Sequence, residues 1–330
     1  MDRRAFVAGA IAILAAPSAA EAQQTDQMRR IGVLMGLEEN DPGAQARVAA
    51  FRKGLTTLGW AEGRNVRIDV RWARTSDAPS MQRIAKALVA LQPEVILSHN
   101  TPTTATLLQH TRTIPIVFAV VSDPIGDGFV ASFPRPGGNA TGFTNIEPTM
   151  ASKWLELLKE VAPRVARVAF LFNPATAPYA ESYLRPFRVA AASLALEAIT
   201  APVRNTSELE SAIATQARMP NGGLVVMTDS FLVSHRADVT ALAARYRLPA
   251  VYPFRDFIEY GGLLSYGNDL LDNFHRAATY AHRVLKGEAP SELPVQAPVK
   301  FELVVNLKAA KALGLTMPPS LLLRADQVVE

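Results

Sequence analysis

Hydrophobic and polar positions follow one another along the chain in two rhythms, one typical of strands and the other typical of helices. Residues 30–35 form a short apolar run, whereas Val66–Trp72 alternate apolar with charged or polar side chains, as a half-buried strand does. Between them, Val48, Phe51 and Leu55 recur at three- and four-residue steps, which places them on one face of a helix. The first part of the chain is therefore predicted to run strand, helix, strand.

Later apolar runs lack this alternation. Val95–Leu97 and Ile114–Val121 are continuously apolar, which is typical of central parallel strands covered on both faces. Thr103–His110 is predicted as the helix between them. After residue 143 the rhythm begins again, with helices predicted near Ser152–Val161, Pro186–Leu194, Ser207–Ala217 and Ser234–Tyr246, and strands near Val168–Phe172, Leu196–Ile199, Leu224–Met227 and Ala250–Tyr252. Strands that alternate with helices form parallel sheets, so the prediction is an α/β protein with two doubly wound parallel-sheet lobes.

One segment interrupts the rhythm between the two halves. Phe133–Gly142 reads FPRPGGNATG and is dense in proline and glycine. Such a composition favours an irregular connection over a helix or strand. We predict that this segment is the first connection between the lobes.

The N-terminus has the composition of a secretory signal. Arg3 and Arg4 precede the twelve uncharged residues Ala5–Ala16, and Ala20 and Ala22 occupy the positions that a signal peptidase recognises. A helix of that length reaches about 18 Å, which is shorter than a bilayer core of roughly 30 Å and disfavours the alternative of an uncleaved anchor. We predict a signal peptide over residues 1–22 and a periplasmic mature chain, with Sec and twin-arginine export both left open.

Composition narrows the classes of protein further. There is no cysteine, so an exported chain of 330 residues relies on its core rather than on disulfides. The formal net charge is +4, and the basic residues are scattered among acidic ones without a basic run. This pattern argues against a nucleic-acid partner.

Signs of catalysis or of a metal site are few. Ser265 lies in Leu-Leu-Ser-Tyr-Gly, which lacks the first glycine of a nucleophile elbow. His275 and His282 are seven residues apart on one predicted helix, but no cluster of carboxylates accompanies them. We therefore expect no catalytic residues, no metal and no cofactor.

Several short motifs together resemble a known family. They are Ser122-Asp123-Pro124 with Gly126 and Gly128, Arg135-Pro136-Gly137-Gly138-Asn139, Gly261-Gly262-Leu263-Leu264-Ser265-Tyr266-Gly267, Lys286-Gly287, Leu293-Pro294-Val295, Lys300-Phe301-Glu302-Leu303-Val304-Val305-Asn306-Leu307-Lys308 and Ala312-Leu313-Gly314-Leu315. In this order they resemble the exported solute-binding proteins of ABC transporters, in the group similar to the tryptophan-binding TrpX-type proteins. The resemblance covers essentially the whole mature chain.

The resemblance implies a type I periplasmic binding fold, in which two lobes close over a ligand and the chain crosses the hinge three times. It also implies a monomer that binds a small molecule and delivers it to an ABC permease in the inner membrane. The crossings are expected near Gly137–Thr144, Tyr252–Tyr260 and Glu292–Lys300. The corresponding lobes are residues 28–143 plus 255–292 and residues 144–254 plus 293–330.

The expected binding site lies at the carboxyl ends of the predicted strands, where ligands bind to open parallel sheets. The loops there are rich in hydroxyl, amide and aromatic groups, a composition that suits a polar ligand with an apolar body. The candidate ligand-binding residues are Glu38, Ser98, Asn100, Thr101, Thr103, Ser122, Asp123, Asn173, Tyr179, Thr228, Asp229, Tyr252 and Phe254.

Some of these candidates have an alternative role that the sequence leaves open. Ser98, Thr101 and Thr103 surround a predicted helix start, where they either bind an anion or cap the helix. Asp123 either contacts the ligand or sets the turn that follows its strand.

Aromatic residues and one acid complete the expected site. Tyr179, Tyr252 and Phe254 either line the cleft or pack within a lobe, and Asp229 follows a central strand, where it could pair with an α-ammonium group. The expected ligand carries a carboxylate and an apolar body, most simply an aromatic or branched amino acid. An exported sensor module of a signalling system and an exported hydrolase are the alternatives.

Overall fold

The computed structural model describes residues 28–330, and the predicted signal peptide lies outside the described residues. The strands are Arg29–Met35 (β1), Val66–Trp72 (β2), Val95–Asn100 (β3), Ile116–Val121 (β4), Ala140–Thr144 (β5), Arg167–Phe172 (β6), Glu197–Pro202 (β7), Gly222–Val226 (β8), Ala250–Tyr252 (β9), Leu264–Asn268 (β10), Phe301–Asn306 (β11) and Gln327–Val329 (β12). The helices are Pro42–Thr57 (α1), Ala78–Ala90 (α2), Thr101–His110 (α3), Met150–Val161 (α4), Ala180–Ser193 (α5), Thr206–Arg218 (α6), Ser230–Ser234 (α7), Arg236–Arg245 (α8), Asp256–Glu259 (α9), Leu270–Leu285 (α10), Leu307–Leu313 (α11) and Pro319–Arg324 (α12).

The strands form two sheets, one in each lobe. The sheet of lobe 1 has five parallel strands in the order β2-β1-β3-β4-β5. The sheet of lobe 2 has seven strands in the order β12-β11-β10-β9-β8-β6-β7, of which only the β10–β11 pairing is antiparallel. The predicted α/β fold with two doubly wound lobes is confirmed.

Three segments connect the lobes, and two of them differ from the prediction. The predicted first connection, Phe133–Gly142, stays in lobe 1, because residues 140–144 pair with β4 as the edge strand of the first sheet. The crossing instead follows Thr144 and leads to α4, which packs on the strands of lobe 2.

The second crossing also lies later than predicted. Residues 255–268 were assigned to lobe 1, but β10 pairs with β9 and β11 in the second sheet. The chain returns to lobe 1 only at α10, which packs on α1 and on β4. The segment Tyr252–Tyr260, where the resemblance placed this crossing, instead contains the short helix α9, which contacts β10 and β11 of lobe 2. The third crossing, between Gln296 and Phe301, falls at the end of the range predicted for it.

Helix starts follow the cap chemistry visible in the sequence. Asp41 accepts a hydrogen bond from the N–H of Ala44, and proline follows it at the first helical position of α1. The side chains of Asp77 and Asp269 likewise accept from backbone N–H groups at the starts of α2 and α10, although no proline follows Asp269. No helix within residues 28–330 is long and apolar enough to cross a membrane.

Candidate functional site

A cavity lies between the lobes, where the carboxyl ends of the strands of both sheets face each other. Its free volume is about 30 Å³. A wider opening of about 380 Å³, bordered by Glu38, Arg74 and Tyr260 among others, lies beside it. The cavity is lined by Leu37, Arg47, His99, Asn100, Thr101, Val120, Ser122, Asn145, Tyr179, Thr228, Asp229, Ser230, Val233, Phe254 and Leu270.

The start of α3 forms the lobe 1 wall, and its hydroxyl groups are used mainly for capping. Asn100 and Thr103 form a capping box, in which the Asn100 side chain accepts from the N–H of Thr103 at 3.2 Å and the Thr103 hydroxyl accepts from the N–H of Asn100 at 2.9 Å. The Ser98 hydroxyl lies 2.9 Å from that of Thr103. Ser98 and Thr103 are therefore structural, whereas Asn100 and Thr101 line the cavity.

Two nitrogen-bearing side chains of lobe 1 also border the cavity. Arg47 lies on the buried face of α1, with 1% of its surface exposed, and forms an ion pair with Asp256 of lobe 2. His99 is buried, and burial together with the charge of Arg47 holds the pKa of its imidazole well below its usual range. The imidazole is therefore neutral at physiological pH.

Asp229 is the only carboxylate among the residues that line the cavity, and it is held by several donors of lobe 2. One oxygen accepts from the N–H of Asn173 at 2.7 Å, and the other accepts from the Thr176 hydroxyl at 3.0 Å and the N–H of Leu232 at 2.9 Å. Burial raises the pKa of Asp229 to about 6, and these hydrogen bonds oppose that rise. Asp229 thus caps α7 and ties two loops together while it faces the cavity.

Tyr179 and Asn145 complete the polar lining near the hinge. The Tyr179 hydroxyl donates to the carbonyl of Thr228 at 3.0 Å, and burial raises the pKa of that phenol well above its usual value. Asn145, just after the first crossing, donates to the Thr228 hydroxyl, while its own Oδ1 has no partner within residues 28–330. This buried amide oxygen is available to a donor on a ligand.

Direct contacts also join the two lobes. The Asn100 amide donates to the Ser230 hydroxyl at 3.1 Å. Arg236 of lobe 2 forms an ion pair with Asp41 of lobe 1. In the pair between Arg47 and Asp256 the arginine belongs to lobe 1 instead. The arrangement is that of two lobes closed on a narrow cavity.

The structure brings seven of the thirteen candidate residues to the cavity. They are Asn100, Thr101, Ser122, Tyr179, Thr228, Asp229 and Phe254. Glu38 lies at the wider opening instead, where it pairs with Arg74. Asp123 closes its own turn by accepting from the N–H of Gly126 at 2.8 Å, and it is not among the residues that line the cavity.

The remaining candidates are occupied inside their lobes. Asn173 donates its N–H to Asp229 and its amide to the carbonyl of Arg204. Tyr252 is buried against Phe257, with ring centroids 5.0 Å apart. These two residues, like Ser98 and Thr103, shape the site without lining it.

Eight of the lining residues were not predicted from the sequence. They are Leu37, Arg47, His99, Val120, Asn145, Ser230, Val233 and Leu270. Arg47 had a usable signal, because it lies three residues after Ala44 and four before Phe51 and so falls on the apolar face of α1. Asn145 and Leu270 had none, because they reach the cavity only through the crossings of the hinge.

Comparison with known proteins places this geometry in context. The tyrosine-binding protein of Clostridioides difficile (strain R20291) is 25% identical over 295 residues, which are 89% of this chain and 84% of that protein. The structure of an ABC domain in complex with L-Trp from Streptococcus pneumoniae matches with a TM-score of 0.84 and 27% identity, covering 92% of this chain and all of that one.

A ligand-free relative matches less closely. The open structure of a substrate-binding protein with adhesive properties from Clostridium difficile has a TM-score of 0.68 and 25% identity, covering 92% of this chain and 99% of that one. Residues 30–329 match the family profile described as ABC transporter substrate binding protein. Because that match spans nearly every described residue, and the structure has the two lobes of the type I periplasmic fold, the chain belongs to the family of ABC transporter substrate-binding proteins.

Proposed function

We propose that this protein is the periplasmic solute-binding component of an ABC importer and captures an amino acid with an aromatic or branched side chain. The ligand binds between the lobes, in the cavity together with the adjoining opening of about 380 Å³, and is released unchanged to a permease in the inner membrane. The closed, liganded form is the one that the permease recognises.

The observation that carries this proposal is the distribution of charge around the cavity. Arg47 borders it from lobe 1 and Asp229 from lobe 2, so the two sides have opposite charges. An α-amino acid carries a carboxylate and an ammonium group, which complement the two sides. Leu37, Val233 and Phe254 add an apolar wall for a side chain.

The relatives support an aromatic ligand. One structural relative holds L-Trp, and the curated relative is a tyrosine-binding protein. The chain also resembles the L-Trp complex (TM-score 0.84) more closely than the ligand-free, open relative (TM-score 0.68), at nearly equal coverage. The likeness supports a closed form in which a ligand is enclosed.

Isothermal titration calorimetry of the mature protein tests the proposal. L-tryptophan, L-tyrosine, L-phenylalanine and L-leucine are titrated separately, with D-glucose as the control. We expect a dissociation constant in the micromolar range or below for at least one amino acid, and no heat from glucose. If no amino acid binds at millimolar concentration, the proposed ligand class is wrong.

A further inference from the structure

Arg47 is placed unusually for a charged residue of a surface helix. It is almost fully buried, and one guanidinium nitrogen, Nη2, pairs with Asp256 across the cleft. The other terminal nitrogen, Nη1, is buried and has no hydrogen-bond partner within residues 28–330. A buried donor without a partner is unfavourable, so its persistence on a cavity wall points to a partner that the protein itself does not supply.

His99 supplies a second donor next to Arg47. Its Nδ1 accepts the N–H of Gly36 at 3.2 Å, so the proton of the neutral ring is assigned to Nε2. The His99 side chain itself lines the cavity. The cavity wall of lobe 1 therefore provides two groups able to donate hydrogen bonds, the Arg47 guanidinium and the N–H of the neutral His99 imidazole.

We propose that Arg47 binds the carboxylate of the ligand through Nη1 while Nη2 keeps its pair with Asp256, so that one side chain both selects carboxylate ligands and couples their binding to lobe closure. The inference rests on the proposed function and names the anchoring group within that site. His99 is the second donor to the same carboxylate. A planar guanidinium suits this double role, because its nitrogens diverge toward two acceptors at once.

The chain provides a matched control for this assignment. Arg236 also forms a buried ion pair between the lobes, with Asp41, but it does not line the cavity. Loss of Arg236 should weaken closure without removing a ligand contact. Comparison of Arg47→Gln with Arg236→Gln therefore separates the carboxylate contact from the effect on closure.

The test measures the affinities of L-tryptophan and L-tryptophanamide, which lacks the carboxylate, for both variants and for the wild-type protein. In Arg47→Gln the preference for L-tryptophan over the amide should fall by about ten- to hundredfold, the size of a charge-assisted hydrogen bond. In Arg236→Gln both affinities should fall by the same factor, with the preference unchanged. If Arg47→Gln lowers the affinities for L-tryptophan and for the amide by the same factor, the assignment is wrong.

Two further results keep the test decisive. Circular dichroism establishes which variants fold, and if Arg47→Gln does not, Asp256→Asn replaces it, since that variant leaves Arg47 in place. Asp256→Asn should lower the affinities for both ligands by the same factor, and a reduced preference for L-tryptophan would contradict the proposal. If the wild-type protein binds none of the amino acids, the proposed function itself fails, and the role of Arg47 falls with it.

Discussion

At the scale of single residues, Asp229 shows how one side chain can serve the fold and the site together. Its carboxylate accepts from Asn173, Thr176 and Leu232, so it closes the loops on which the lobe 2 wall is built. Burial nevertheless raises its pKa to about 6, because these donors do not fully replace water around the charge. A contact with a ligand ammonium group would favour the ionised form.

The pH dependence of stability follows from that shift. The pKa of Asp229 is about 6 in the folded protein and 3.8 in the unfolded chain, so the folded protein binds this proton more tightly. The resulting stabilisation is fully present below pH 3.8 and is lost as the pH rises through about 6. The free energy of unfolding of the ligand-free wild type, relative to Asp229→Asn, should therefore fall by about 2.4 kcal/mol between pH 4 and pH 7. Urea denaturation at several pH values measures this difference.

The comparison with Asp229→Asn isolates a single group. The other carboxyl groups are present in both proteins, so their titration cancels in the difference. A difference in unfolding free energy that stays constant from pH 4 to pH 7 would show that Asp229 has an ordinary pKa.

At the scale of elements, the packing of α1 against α10 positions the lobe 1 wall. Gly54 lies in the contact, where a Cβ atom would come within 2.7 Å of the Ala278 Cβ and of the His275 carbonyl oxygen. The absence of a side chain lets the two helices approach closely. This contact fixes α1, and with it Arg47, beside the cavity.

Substitution of Gly54 tests that contact. In a free helix Gly54→Ala would be stabilising by up to about 1 kcal/mol, because alanine is the better helix former. Here the clash with the α10 backbone should dominate and lower the free energy of unfolding by about 1–3 kcal/mol. Thermal or chemical denaturation gives the sign directly. Addition of Ala278→Gly should recover part of the loss, whereas a net stabilisation by Gly54→Ala would mean that the helices are farther apart.

At the scale of the whole molecule, the site exists only when the lobes meet. Arg47 with Asp256 and Arg236 with Asp41 form two ion pairs of opposite polarity across the cleft. Removing charges from water is unfavourable unless each finds its partner, so these pairs favour a defined closed geometry over partial closure. A ligand that bridges the lobes shifts the population toward that geometry.

Small-angle X-ray scattering can measure this shift. The radius of gyration of the mature protein should decrease when saturating L-tryptophan is added, because a cleft encloses a small molecule only by closure of its lobes. An equal concentration of D-glucose should leave it unchanged. If calorimetry shows binding but the radius of gyration does not change, the prediction that the lobes close on the ligand is wrong.

The local patterns of the sequence were sufficient to predict most of the strands and helices of the fold. Period-two and period-3.6 alternation located the strands and helices, since burial on one face depends on residues that are near one another in the chain. The continuously apolar runs correctly indicated central parallel strands. The motifs around residues 122–142 and 261–315 indicated the family, which the profile match over residues 30–329 confirms.

The site was predictable only in part, because its residues come from distant segments. Loops at the carboxyl ends of strands share an edge by topology, and this rule correctly brought Asn100, Tyr179 and Asp229 to one cavity. It could not show which hydroxyl groups of α3 would turn inward as caps, since that depends on the local rotamers.

Only the tertiary structure showed where the hinge segments lie and which charged side chains pair across the cleft. The boundary of lobe 1 depends on β10, which pairs with β9 and β11 in the second sheet although α10, a helix of lobe 1, separates it from β11 in the chain. Arg47 and Asp256 are 209 residues apart, and nothing local requires them to meet. The sequence by itself therefore determined the elements and the family, because these follow from neighbouring residues, whereas the pairing of charges across the cleft required both lobes to be in place.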